Sequence, residues 1–267
     1  MYKIAVLYIC TGDYVIFWKE FYDSFQKYFL PKSWKDYFVF TDAMDLYAQD
    51  YKNVHKVNQK NLGWPGNTLK RFQIFRKIEE KLSAFDYIYF FNSNLICQEV
   101  ITEDEFLPRE NQNLVVVKHP GWVNDIRLFY TYERNRKSKA YIPYNKGEYY
   151  VCGGVNGGRA KDYIRLINDL EKAIDTDLQK GIIARYHDES HLNKYILERN
   201  DVRVLEPSYC YPENYDIPYP RKILLLDKSR YFDVDKLKHN KKSLLKSIQS
   251  YGMTFVRRAA SKLLRKR

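Results

Sequence analysis

The run Asp86-Tyr87-Ile88-Tyr89-Phe90-Phe91 is apolar or aromatic from its second residue to its last, without the every-other-residue polar position of a half-wet strand. A strand of that kind is buried on both faces, which calls for a sheet with helices on either side. It also runs directly into the polar Asn92-Ser93-Asn94. In open α/β sheets ligands gather at the carboxyl ends of strands, so this one stretch predicts both the architecture and the end of the sheet that carries a site.

The rest of the chain fits an α/β reading. Lys3 to Ile9 has the pattern of a buried strand, Thr11-Gly12-Asp13 interrupts it, and a helical pattern follows from Tyr14 towards Phe29. Further strands are predicted at Tyr37 to Phe40, Val54 to Val57, Leu114 to Val117, Tyr149 to Cys152 and Val202 to Leu205. Helices are predicted at Thr68 to Leu82, Lys161 to Ile174 and Glu189 to Arg199. With 267 residues and 45% hydrophobic content, the chain can bury one large core, expected over 1–235, with 236–267 as an appendage.

The net charge of +12 suggests a nucleic-acid binder until its position is considered. Eleven Lys and Arg residues lie from Lys236 onward with no acidic residue among them, so the body before them is nearly neutral. That removes the case for a basic nucleic-acid cleft. Cys10, Cys97, Cys152 and Cys210 are far apart and form no CxxC pair, which excludes a zinc ribbon or dense disulfide framework and suits a reducing, cytoplasmic setting. The apolar run Ile4 to Cys10 is too short for a spanning helix.

In Tyr186-His187-Asp188-Glu189-Ser190-His191-Leu192-Asn193-Lys194-Tyr195, five polar residues precede apolar positions at Leu192, Tyr195 and Ile196. The spacing places the polar run at a helix N-terminus facing a cleft, where carboxylates are favoured by the helix dipole. Two readings are open: Asp188 and Glu189 bind hydroxyls or face a developing cation, or they are a helix cap and a first-turn acid. His187 and His191 have zinc-ligand spacing, but Asp188 stands where the metalloprotease pattern has Glu. Gly153-Gly154-Val155-Asn156-Gly157-Gly158 lacks the order of a phosphate loop and reads as a sharp turn beside a sugar or a neighbouring strand.

Taken together, Tyr132-Glu133-Arg134, Ala140-Tyr141-Ile142-Pro143, the glycine run and His187 to Tyr195 resemble glycosyltransferase family 6, co-linearly from about Tyr2 to Asp227. That family includes the histo-blood-group A and B transferases. The resemblance implies a GT-A fold with a mixed central sheet flanked by helices. It also implies retaining transfer of N-acetylgalactosamine or galactose from UDP to a galactose acceptor. Glu189 matches the family's catalytic glutamate, and Asp188 the position that binds donor-sugar hydroxyls. An oxocarbenium-like transition state gains from such a carboxylate, either as nucleophile or as electrostatic stabiliser.

The same resemblance assigns uridine contacts to Ile9, Cys10, Thr11 and Tyr14, with a second donor-side group at Trp64, Thr68 and Arg71; core packing is the alternative for Tyr14 and Trp64. Cys152, Gly153 and Gly154 would read the donor sugar. In the blood-group enzymes the position of Gly154 is Gly for N-acetylgalactosamine and Ala for galactose, which favours UDP-N-acetylgalactosamine with UDP-galactose second. His119, Thr131 and Tyr186 match acceptor positions, along with Glu189. Tyr186 replaces the usual Trp, and a fucosylated galactose is the acceptor that the analogy favours.

One departure changes the chemistry. Mammalian members bind manganese through Asp-x-Asp, whereas this chain has Asn92-Ser93-Asn94, the pattern of bacterial members. Neutral amides are poor ligands for a hard cation, so transfer without a divalent metal is expected. Arg71 and Lys228 would then neutralise the leaving UDP, with solvated surface lysine as the alternative for Lys228.

From Leu244 to Leu263 the apolar residues step by three or four among Lys and Arg, which predicts a basic amphipathic helix suited to an anionic membrane surface. The expected location is therefore the inner face of the cell membrane. The rival function is a non-catalytic carbohydrate- or nucleic-acid-binding module; the Asp188-Glu189 pair and the neutral body argue against it.

Overall fold

A computed structural model describes residues 1–233 apart from 124. The basic segment at 236–267, with its expected amphipathic helix, lies outside the described residues.

The elements run in the order β1 (Lys3–Ile9), α1 (Trp18–Tyr28), β2 (Trp34–Thr41), β3 (Val54–Asn58), α2 (Gly63–Leu69), α3 (Arg71–Arg76), α4 (Glu79–Leu82), β4 (Tyr87–Phe91) and β5 (Leu95–Cys97). Then come α5 (Glu103–Phe106), β6 (Leu114–Lys118), β7 (Val151–Arg159), α6 (Ala160–Gln179), α7 (His187–Ile196), β8 (Val202–Leu205), β9 (Tyr211–Pro212) and β10 (Ile223–Leu225). Seven strands form one sheet in the order β3-β2-β1-β4-β7-β6-β8, and β5-β10-β9 form a small second sheet. All neighbours in the large sheet are parallel except β7, which runs antiparallel to both β4 and β6.

Both faces of the large sheet are covered, as the pattern at 86–91 requires. On β1, Ile4, Val6 and Tyr8 enter one core with α1, while Ala5 and Leu7 enter the other with α3 and α6. On α1, buried Trp18, Phe21, Tyr22 and Phe25 form one stripe, with the rings of Phe21 and Phe25 stacked at 4.0 Å. Burying each such ring contributes about 1.5–3 kcal/mol. Opposite, Tyr163, Leu166, Ile167 and Leu170 of α6 pack with Phe72 and Phe75 of α3.

Two expectations are corrected. The glycine run is not a turn but the body of β7, in the middle of the sheet. A Cβ at Gly157 would come 2.2 Å from the Tyr89 ring, and one at Gly158 2.2 Å from the Asn113 carbonyl, so neighbouring strands occupy that space. The single helix expected over Thr68 to Leu82 is three short ones, α2, α3 and α4. The breaks place Arg71 at the start of α3 beneath the sheet's carboxyl end.

Candidate active site

At the carboxyl ends of β1 and β4 lies a cavity of about 240 Å³, walled by Ile9, Thr11, Tyr14, Trp64, Thr68, Arg71, Asn92, Ser93 and Lys228, all named from sequence. Asn61 and Asn67 line it too. The Asn67 amide donates to Thr11 Oγ1 and to Asn61 Oδ1, both at 2.9 Å, and so ties the α2 turn to the end of β1. Lys228 Nζ stands 4.8 Å from the Tyr14 ring centre. Trp64 meets His187 edge-on at 5.5 Å, which sends His187 to the cavity rim while His191 is buried 3.5 Å from Asp177. The two histidines therefore do not form a metal pair.

Arg71 joins this cavity to the carboxylates of α7. Its Nη1 donates to the Gly153 carbonyl at 2.9 Å and to Asp188, and its guanidinium lies 4.2 Å over the Phe90 ring. Asp188 is buried, and burial pushes its carboxyl up to about 6 against the opposing pull of Arg71. The helix begins at His187 with Tyr186 as its cap residue, so Asp188 is an ion-pair partner inside the first turn and not the cap. His187 itself has a φ of 50°, a left-handed turn that starts α7 directly over β7.

Glu189 is held from two sides. The Tyr150 hydroxyl donates to Oε1 at 2.8 Å and the Gly153 N–H donates to Oε2 at 2.8 Å. Burial raises its carboxyl above the ordinary glutamate range while these two donors oppose the rise. Asn193 fixes the helix to the strand: it accepts from Val151 N at 3.0 Å and donates to Val151 O and Glu189 O, each at 2.9 Å. Asn156 donates to Gly153 O at 3.0 Å and accepts from Tyr163 at 2.5 Å, bracing the same peptide from below. The absence of a side chain at Gly153 lets the carboxylate approach, since a Cβ there would lie 3.1 Å from Glu189 Cβ.

The acceptor positions gather on the other side of Tyr150. Thr131 meets the Tyr150 hydroxyl, and the His119 ring lies 5.7 Å from the Tyr150 ring. His119 Nδ1 accepts from Gly121 N at 3.0 Å, which leaves the proton of a neutral ring on Nε2. Tyr186 is exposed at the start of α7, anchored by its N–H to Ser190 Oγ at 3.0 Å.

Six of the donor-side residues named from sequence, Cys10, Asn94, Cys152, Gly153, Gly154 and Asp188, do not line the cavity. Cys10 is fully buried in the core, its N–H given to Phe40 O and its carbonyl accepting from Thr41. Asn94 is buried and its amide donates to Leu226 O at 2.6 Å, a brace between β4 and the small sheet. Cys152 is likewise buried, in the wall of β7 with Gly154, whose missing Cβ would lie 2.6 Å from Asn92 Nδ2. Tyr150, Asn156 and Asn193 were not singled out as site residues. Asn156 and Asn193 were open to inference as polar residues inside the matched motifs, and Tyr150 as a polar-tipped residue of the strand predicted at Tyr149 to Cys152, but the partners of Tyr150 and Asn193 are brought together only by the β7–α7 crossing.

A manganese site of the Asp-x-Asp kind does not fit these residues. Asn92 and Asn94 offer neutral amides, Asn94 is turned to Leu226, and among the described residues no three His, Cys, Asp or Glu come together as ligands.

The family model for glycosyltransferase family 6 matches residues 2–239, which is nearly the whole described fold and the site within it. The chain belongs to glycosyltransferase family 6. The family 6 chain is 38% identical over 227 residues to the O-antigen biosynthesis glycosyltransferase WbnI of Escherichia coli, covering 85% of this chain and 95% of that protein. It is 30% identical to histo-blood group ABO system transferase 1 of Rattus norvegicus, over 87% of this chain and 66% of the relative. Identity to globoside alpha-1,3-N-acetylgalactosaminyltransferase 1 of Gallus gallus is 27%, over 87% and 67%. The enzyme is thus a hexosyltransferase with a GT-A-like fold that takes a nucleotide-sugar donor and a glycan acceptor. Among its described residues no helix is long and apolar enough to cross a membrane.

Proposed function

We propose that this family 6 enzyme transfers N-acetylgalactosamine from UDP-N-acetylgalactosamine, with retention and in α-1,3 linkage, to a galactose acceptor, fucosylated by analogy, without a divalent metal. The observation that carries the reading is Glu189, held by Tyr150 and Gly153 between the cavity lined by Tyr14, Arg71 and Lys228 and the acceptor positions His119 and Thr131.

UDP occupies that cavity, with the Tyr14 ring for the base and Arg71 and Lys228 for the diphosphate. The sugar then lies towards Gly154 and Asp188, where Asp188 accepts from its hydroxyls. Glu189 stabilises positive charge at the anomeric carbon, and the acceptor hydroxyl enters from the Thr131 side. Gly154 supports the N-acetyl donor: a Cβ there would press on Asn92 and fill space beside the sugar. The metal's charge is supplied by the two cations, and the neutral Asn92 and Asn94 support that reading.

Release of UDP with EDTA present, measured with each UDP-sugar and fucosylated galactose, tests the proposal. Turnover of UDP-N-acetylgalactosamine in EDTA is expected. Turnover of UDP-galactose alone would overturn the donor assignment, and a strict need for manganese would overturn the metal assignment.

A further inference from the structure

A second cavity, of about 470 Å³, opens beside α5 and the edge strand β8 and shares no lining residue with the donor cavity. Glu105, Arg109, Arg203, Glu206, Ser208 and Tyr209 are among its walls. Its volume is within the range of small-molecule sites, about 300–1,000 Å³.

The two acids in this wall already have cations of their own. Glu206 Oε1 pairs with Lys118 Nζ at 2.7 Å, and Glu105 accepts from Lys222 and, at 2.7 Å, from the Tyr209 hydroxyl. Against the rise that burial alone would bring, these two donors hold the Glu105 carboxyl below the ordinary glutamate range. The two arginines are not matched in this way. Arg203 donates to the Leu107 carbonyl and, at 3.1 Å, to the Asp104 carbonyl, and neither it nor Arg109 has an ion-pair partner among the described residues. Burial, and after it the neighbouring Arg109 charge, lower the Arg203 pKa, so the two guanidiniums stand close enough to repel.

Ser208 supplies a further donor. It is 4% exposed, and its carbonyl accepts from Lys222 N at 3.1 Å, but its hydroxyl has no hydrogen-bond partner among the described residues. A nearly buried hydroxyl is costly to leave unpaired unless something in the cavity bonds to it.

We propose that this cavity binds a phosphate group, free or esterified to a small metabolite, between Arg109, Arg203 and Ser208. Two guanidiniums and a hydroxyl suit the oxygens of a phosphate, and the anion relieves the repulsion between the cations. The site stands apart from sugar transfer and does not depend on which donor or acceptor the enzyme uses.

The test is calorimetric titration of the full chain, with UDP present to fill the donor cavity. Inorganic phosphate, a hexose 6-phosphate and the free hexose are compared on the parent, Arg109→Gln and Ser208→Ala. Saturable binding of inorganic phosphate or the hexose phosphate at one site per chain is expected, weakened roughly tenfold by Arg109→Gln and about fivefold by Ser208→Ala. The tighter of the two ligands tells the free ion from the ester, and the free hexose is not expected to bind. Both variants are expected to keep the parent's Tm and rate of UDP release, since neither residue lines the donor cavity. No saturable binding below about 10 mM, or binding that both variants leave unchanged, would overturn the proposal, as would a free hexose that binds as tightly as its phosphate.

Discussion

The Tyr150 hydroxyl lies 2.8 Å from Glu189 Oε1 and donates to it, on the side away from the Gly153 N–H that holds Oε2. The bond fixes one orientation of the carboxylate, and burial keeps Tyr150 protonated by raising its pKa well above the usual tyrosine range. Removing a hydrogen bond to a charged group costs about 1.5–3 kcal/mol. Tyr150→Phe is expected to lower kcat by roughly 10- to 100-fold with the donor KM little changed, as read by steady-state UDP release.

The pH dependence follows from Asp188. Burial raises its carboxyl to about 6, and Glu189 is raised in the same direction. Both act as anions, so kcat/KM is expected to fall as pH drops through about 6 and to be level above it. Arg71 favours the ionised form, so Arg71→Gln should move the acid limb to higher pH as well as lower the rate. A limb that stays in place would separate Arg71 from the titration.

Asn94→Asp puts a carboxylate where an amide donates to Leu226 O at 2.6 Å. The bond becomes a repulsive oxygen pair in a buried place, at a cost of about 2 kcal/mol, and Tm should fall by roughly 4–8 °C. Manganese is not expected to restore it. A variant as stable as the parent, or one that gains manganese-dependent turnover, would show that residue 94 faces the donor after all.

Lys228→Ala removes the cation over Tyr14. Transfer is expected to slow by roughly 100-fold, without rescue by added manganese. Gly154→Ala should leave the fold intact, because only the end of the Asn92 side chain stands 2.6 Å away, and should shift the donor ratio towards UDP-galactose. Competition between the two UDP-sugars measures it.

The strands were legible because each is a short apolar run closed by turn residues, and β1, β4 and β6 fall within a residue of their expected bounds. The walls of the cavity were legible through motif resemblance, since Thr11, Tyr14, Thr68 and Arg71 do line it. What stayed hidden depends on contacts between distant elements. Four glycines in six residues read as a turn by local preference, yet they form β7, where Tyr89 of β4 and Asn113 just before β6 occupy the space side chains would need. Cys10 sits next to Thr11 in sequence, but it is packed in the core while Thr11 lines the cavity. Asn193 stands inside a matched motif, but its role depends on Val151, 42 residues away, which the motif does not reveal.

Single-turnover transfer by Glu189→Gln, with UDP-N-acetylgalactosamine bound and EDTA present, bears most directly on the central claim. The amide keeps the shape that Tyr150 and Gly153 enclose but removes the charge. A rate lower by roughly 1000-fold with UDP-sugar affinity retained is expected. A rate within a few fold of the parent enzyme would contradict the assignment of Glu189 to the reacting carbon.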